Sequence, residues 1–280
     1  MKALSEAQVA QYHRDGFLSP LTAMRPAEAD AIYRQVAAFE AAHPAEARQA
    51  FASKCHLLHP YLYDLCRHPK LLDAVEDIIG PDILCWGSGF FSKRARDGAF
   101  VSWHQDSTYW GLEPLDIISV WLAVTPSRRE NGCMRVIPGT HQAGQLPHGD
   151  TFAAANLLSR GQEIQVQVDA AKAVDLELEP GQFSLHHVAI VHGSEPNNSD
   201  LPRYGFVIRY IPTHVRQLGG RTTALLARGQ DAYGHFDPEP RPAAYAAAAI
   251  AFHKEAIARV ESILYSGAAG AGKRQTQAAE

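Results

Sequence analysis

The chain has 280 residues, with 26 Lys and Arg against 30 Asp and Glu, for a formal charge of −4. That length can bury a large core, and a slightly acidic chain offers no basic field for nucleic acid or an anionic membrane, so the expected partner is a small molecule. The four cysteines, Cys55, Cys66, Cys85 and Cys133, form neither a close pair of zinc-ligand spacing nor a disulfide framework, and reduced thiols in a cytoplasm are the expectation. The opening stretch is amphipathic and charged, so no signal peptide is expected, and there is no run of about 18 apolar residues to span a membrane.

In chain order, SEAQVAQYHRDG predicts a short helix, with Ser5 in a capping position and Gly16 where it stops. Residues 25–43 are rich in Ala and Glu, with Pro26 near the start and Ile32, Val36 and Phe39 at helical spacing, which predicts a second helix. HPYLYDLCRHPKLLDAVEDIIG (59–80) predicts two shorter helices, broken at Pro69 and stopped at Gly80. From Ile83 the texture changes to short apolar or β-branched stretches between turn residues: ILCWGSGFFSKR, DIISVWLAVT, MRVIPG, AVDLELEPG, FSLHHVAIVHG and RYGFVIRYI. They predict a mainly β core packed behind an N-terminal helical layer, with Val174, Leu176 and Leu178 on one face of a half-exposed strand.

Residues 141–172 interrupt the strands with a long polar insertion, which predicts an active-site lid. A strong C-terminal helix is expected over 241–267, and the tail 268–280, without an apolar pattern, is expected to be disordered. The organisation expected is one domain over 1–267: helical layer 1–82, core 83–215 and C-terminal segment 216–267.

The chemistry centres on SWHQDSTYWG (102–111). On an extended strand residues i and i+2 share a face, so His104 and Asp106 can reach one metal ion while Gln105 points away. Two histidines and one carboxylate on one face of Fe(II) leave open positions for a cosubstrate and O2. The second histidine is sought in FSLHHVAIVHG, where His186, His187 and His192 compete. His192 is favoured because it ends the apolar run VAIV before Gly193 and Ser194, whereas His187 reads as a mid-strand core residue. Arg203, on the following stretch, offers a planar guanidinium for the far carboxylate of a dicarboxylate that chelates iron through its keto-acid end. Arg209, on the same strand face by even spacing, is the competing assignment. Asn131-Gly132 and Pro138-Gly139 read as turns that shape the core, Trp121 reads as core, and His141 is left open.

With these residues the sequence resembles the phytanoyl-CoA dioxygenase superfamily of Fe(II)/2-oxoglutarate oxygenases. LSEAQVAQYHRDGFL looks like the family's opening helix and WHQD like its metal-binding strand. ENGCMRVIPGTH and PGQFSLHHVAIVHGSEPNNSDLPRYG are similar to its later motifs. The resemblance implies a double-stranded β-helix, a cupin-like jelly roll with flanking helices, in which His104, Asp106 and His192 hold the catalytic Fe(II). It implies 2-oxoglutarate on Arg203, with Ser194, Trp110 and Lys93 beside it, and O2 as the oxidant. Halogenating relatives carry Ala or Gly where Asp106 stands, so hydroxylation of an unactivated C–H bond is expected over halogenation, with desaturation or ring closure as the alternative.

For the substrate, the cations Arg94, Arg96, Arg209 and His214 suit an anionic or zwitterionic molecule: an amino acid derivative, a carboxylate, a phosphonate or a natural-product intermediate. An acyl-CoA would also suit them. The rivals are an inactive jelly-roll ligand-binding protein, against which the triad and Arg203 argue, and a zinc or nickel isomerase or hydrolase, which would want more histidine ligands.

Overall fold

Ser5 accepts a hydrogen bond from the Gln8 amide while the Gln8 side chain accepts from the Ser5 amide, so α1 (Glu6–Asp15) starts with two backbone donors satisfied and stops at the left-handed Gly16. The computed structural model describes residues 1–265, and the tail expected to be disordered, 268–280, lies outside them. The helical layer continues with α2 (Pro26–Ala42), α3 (Ala47–Ala52), α4 (Pro60–Leu65) and α5 (Pro69–Ile79). Pro69 opens α5 instead of merely interrupting a helix, because the first helical position has no use for an N–H. The six residues of α3 are too few to show a period, and only packing of Ala47, Ala50 and Phe51 identifies it. The expected C-terminal helix is shorter than its sequence signal: α6 spans Ala247–Leu264, and the Pro242 segment before it is not helical.

The strands are β1 (Phe17–Thr22), β2 (Ile83–Lys93), β3 (Val101–His104), β4 (Leu112–Glu113), β5 (Ile118–Ala123) and β6 (Met134–Ile137). Then come β7 (His148–Asp150), β8 (Gln162–Ile164), β9 (Val174–Leu176), β10 (Gln182–His187) and β11 (Val191–Ser194). The last four are β12 (Arg203–Pro212), β13 (Arg216–Gln217), β14 (Thr223–Arg228) and β15 (Asp237–Pro238). A major sheet in the order β1-β10-β5-β12-β2-β14-β15 and a minor sheet in the order β3-β11-β6-β9 make the jelly roll. FSLHHVAIVHG, which looks like one strand, is two: β10 belongs to the major sheet, β11 to the minor, and the buried corner Val188–Ile190 carries the chain between them.

β12 is the strand that divides inside from outside. Tyr204, Phe206, Ile208 and Tyr210 pack into the core with Leu62, Leu71 and Val75 of the helical layer. Arg203, Val207 and Arg209 line a cavity on the other face. The insertion 141–172 is not structureless. It forms the β7–β8 hairpin beside β3, where Ser102 Oγ donates to the Gln162 carbonyl (2.6 Å) and the Gln105 side chain donates to the Gly144 carbonyl (2.9 Å). Arg160 within it pairs with Asp150, lies over the Tyr109 ring at 3.8 Å and donates to the Leu264 carbonyl at the end of α6.

A buried ionic network joins the helical layer to the major sheet. Lys54 Nζ donates to the carbonyls of Trp86 (2.6 Å) and Thr223 (2.9 Å) and to Glu239 Oε1 (2.7 Å). His56 sits between Glu239 Oε2 (2.6 Å) and Ser88 Oγ (2.7 Å). Burial alone pushes the Glu239 carboxyl up, but the charges of Lys54 and His56 and the hydrogen bonds they donate outweigh it and hold its pKa at about 2. Glu239→Gln leaves Lys54 buried without its counter-charge and should lower unfolding free energy at pH 7 by about 3–5 kcal/mol. Because the folded pKa is depressed, this stabilisation is present above the ordinary carboxyl pKa and lost as pH falls toward 2. The gap between wild type and variant in urea unfolding should therefore narrow over that window.

Candidate metal centre

The antiparallel register of β3 and β11 puts His192 directly opposite His104, with the ring centroids 4.1 Å apart. β3 ends at His104. Gln105 is still extended, and Asp106 opens a one-turn 3-10 segment to Thr108, so the pair does not share a strand as the i, i+2 argument required. A strand end and the turn after it bring the two side chains together instead. His104 Nε2 lies 3.4 Å from Asp106 Oδ1, and one ligand atom from each of His104, Asp106 and His192 falls within 4.8 Å of the others. All three residues are buried. Gln105 turns away, tying its side chain to the Gly144 and Ala189 carbonyls.

Both imidazoles are oriented from behind. His104 Nδ1 donates to the Ser102 carbonyl (2.9 Å) and His192 Nδ1 to the Ile190 carbonyl (3.0 Å), which leaves each Nε2 with its lone pair toward the shared space. Burial, then the neighbouring His104, push the His192 pKa well down. Burial works against ionisation of Asp106, yet the His104, His192 and Arg209 side chains around it keep it far below the usual carboxylate range. Two imidazoles and one carboxylate, converging and buried, are a donor set that fits a divalent cation with open positions.

The triad opens on a cavity whose walls include Phe91, Trp121, Met134 and Val207. At one side stands Arg203, 1% exposed, donating to the Gly132 carbonyl and to the Phe91 carbonyl (3.4 Å), with Nε unpartnered and no carboxylate in reach among the described residues. Burial draws its pKa down to about 10, so it stays a cation. Trp121 lies 5.3 Å from this guanidinium, and it does so only because residue 205 is glycine: a Cβ there would meet the indole at 1.9 Å. Trp121 is therefore cavity wall, not the plain core residue its sequence context implied.

Ser194 also lines the cavity, and its hydroxyl accepts from Lys93 at 2.7 Å. Lys93 is fully buried, pairs in register with Arg203 across β2 and β12, and donates to the Ser194 and Glu195 carbonyls as well. Burial and Arg203 pull its pKa to about 6. It braces Ser194 and does not line the cavity itself. Trp110 sits behind the wall, packed on Trp86 at 5.1 Å and lying 5.1 Å from the Arg209 guanidinium.

Other sequence candidates are elsewhere. Arg94 is exposed, Arg96 pairs with Asp200 (2.8 Å) and His214 with Asp116 (3.0 Å), and none of the three lines the cavity. His187 and His141 lie together, 5.1 Å apart, also outside it, and no residue of 141–172 is among its lining. His186, an unchosen candidate, does line it, with Nε2 4.0 Å from Asp106 Oδ2. Nothing in the sequence distinguished His186 from His187, because the choice depends on which face of β10 looks inward.

Among solved structures the chain is similar to the apo non-heme monooxygenase ThoJ, with 36% identity, a TM-score of 0.84 and coverage of 92% of this chain and 97% of that one. CytC3 with Fe(II) and alpha-ketoglutarate shares the fold, at 24% identity, a TM-score of 0.63 and coverage of 86% and 93%. Among curated proteins, a probable phytanoyl-CoA dioxygenase of Caenorhabditis elegans is 30% identical over 148 residues, 50% of this chain and 47% of that protein. A probable alpha-ketoglutarate-dependent hypophosphite dioxygenase of Stutzerimonas stutzeri is 28% identical over 167 residues, 59% and 58%. The aligned region spans about half the length of the curated relatives it matches. The family model described as phytanoyl-CoA dioxygenase (PhyH) matches residues 12–205, from the first helix through both triad histidines to Arg203, and this chain belongs to that family.

Proposed function

We propose that the protein is an Fe(II)/2-oxoglutarate-dependent dioxygenase that hydroxylates an unactivated C–H bond of a small anionic or zwitterionic molecule. The observation that carries this reading is Arg203: a buried guanidinium without a counter-ion, sharing one cavity with two histidines and an aspartate. A buried cation left unpaired costs several kcal/mol, and a dicarboxylate cosubstrate supplies the missing charge.

His104, Asp106 and His192 would hold the iron. The bound Fe(II), with 2-oxoglutarate and O2, supplies oxidation of a C–H bond to an alcohol as the cosubstrate is converted to succinate and CO2. The chain does the rest. The Ser102 and Ile190 carbonyls hold the imidazoles in one tautomer, so each Nε2 is ready without a proton to lose. Arg203, steadied by the Gly132 and Phe91 carbonyls, fixes the far end of the cosubstrate, and Ser194, braced by Lys93, presents a hydroxyl beside it. Phe91, Trp121, Met134 and Val207 keep water from the reacting carbon. Asp106 fills the third protein position, which favours delivery of oxygen over halide.

His104→Ala and His192→Ala should each remain folded and lose the weak visible band that Fe(II) and 2-oxoglutarate give together without oxygen. Retention of that band in His192→Ala alongside its loss in His186→Ala would reassign the second histidine. Arg203→Ala should raise the half-saturating 2-oxoglutarate concentration by about 30-fold or more, since losing one partner of a buried charge pair costs ~2–5 kcal/mol. The reaction itself is tested by succinate release across amino acids, acyl-CoAs and phosphonates under labelled O2. The product should gain one oxygen atom from O2 per succinate, and a chlorinated product in added chloride would overturn the hydroxylase reading.

A further inference from the structure

The same cavity holds a second cation with nothing to bind. Arg209 projects from β12 on the cavity face, like Arg203, and its register partner is Gly87. The guanidinium makes no hydrogen bond and no ion pair among the described residues, and its Nε is buried without a partner. Among the described residues it rests beside two ring faces, Trp110 at 5.1 Å and Phe91 at 5.9 Å. Arg203, by contrast, is anchored on two carbonyls. Six residues of extended strand separate their Cα atoms by ~20 Å, so the two side chains enter the cavity from different points along β12.

Asp106 and His186 line the cavity together with Arg209. Asp106 does not neutralise it once the metal is present. A dication, the Asp106 carboxylate, doubly negative 2-oxoglutarate and Arg203 together cancel. Lys93, drawn toward neutrality by burial and facing Glu195 and Asp97, leaves that balance unchanged. Arg209 is then a surplus positive charge in a buried site, which calls for one more anion. The carboxylate of 2-oxoglutarate nearest the iron already has the metal as its counter-charge, so it is the weaker claimant.

We infer that Arg209 is the substrate anchor: it takes a carboxylate or similar oxyanion of the substrate, with Trp110 and Phe91 stiffening the guanidinium from its flanks. The inference rests on the oxygenase reading and narrows its substrate class to molecules carrying an anionic group near the carbon that is oxidised. Guanidinium N–H groups held between ring faces recognise a planar carboxylate with two parallel hydrogen bonds, so the same contact sets both affinity and orientation.

The test uses the full chain loaded with Zn(II), a diamagnetic substitute for iron, and saturated with 2-oxoglutarate to occupy Arg203. Trifluoroacetate is the probe, followed by fluorine NMR, with neutral trifluoroacetamide as the control. Wild type should bind the acid and not the amide, and Arg209→Gln should weaken the acid about tenfold or more while calorimetry finds its 2-oxoglutarate affinity within about twofold of wild type. In the unmutated protein, arginine Nε–H signals give a check independent of the variant's folding: the probe should shift one arginine and 2-oxoglutarate another. Equal probe binding by wild type and Arg209→Gln, equal binding of acid and amide, or one arginine shifted by both ligands overturns the inference. A 2-oxoglutarate affinity that falls in Arg209→Gln makes Arg209 a second cosubstrate clamp instead. Failure of the Zn(II)-loaded wild type to bind 2-oxoglutarate at all defeats the oxygenase reading beneath it.

Discussion

One strand register governs the centre of this protein. His192 reaches His104 only because β11 pairs with β3 at that residue, and a slip of β11 by one position would turn its imidazole to the face away from His104. The register is held from both sides. β6 pairs the other edge of β11, setting Val136 against His192, and Gly193 lets the β3 backbone come close enough for the irregularity that follows. The Nδ1 bonds to Ser102 and Ile190 then convert backbone position into ring orientation, so the site inherits its accuracy from the ladder.

The second constraint is the period of β12. Alternate residues face opposite sides, and this strand uses one side for core aromatics and the other for two arginines. Two unpaired buried guanidinium groups in one cavity are expensive, and the structure tolerates them because the opposite face is anchored in the largest apolar cluster. The Lys54–His56–Glu239 network adds a polar tie from the helical layer to the same sheet. Rigidity behind the strand lets charge in front of it wait for a ligand.

Sequence reading failed in a consistent way. Lys93 was expected beside the cosubstrate, yet it lies buried outside the cavity lining, because the chain returning through Ser194 and Glu195 closes over it with oxygen acceptors. Trp121 looked like core and forms cavity wall, because Gly205 on the neighbouring strand makes space for its ring. Arg96 and His214 looked like candidates for the substrate and are occupied by Asp200 and Asp116, partners more than ninety residues away in the chain. In each case the deciding neighbour was remote in sequence.

What the sequence by itself determined is local: the capped first helix, the proline-started α5, the change to short strands at Ile83, and a His-x-Asp pair followed by histidines and a strand carrying two arginines. These are legible because capping, proline geometry and period-two alternation act within a few residues. Which histidine faces the pair, that Asp106 arrives from a turn, and that His186 and both arginines enter one cavity were decided only by tertiary structure. Two sheets had to be paired, and the chain had to cross between them at Val188–Ile190, before any of those side chains had a direction. Strand register and sheet assignment are properties of long-range pairing, and no local pattern contains them.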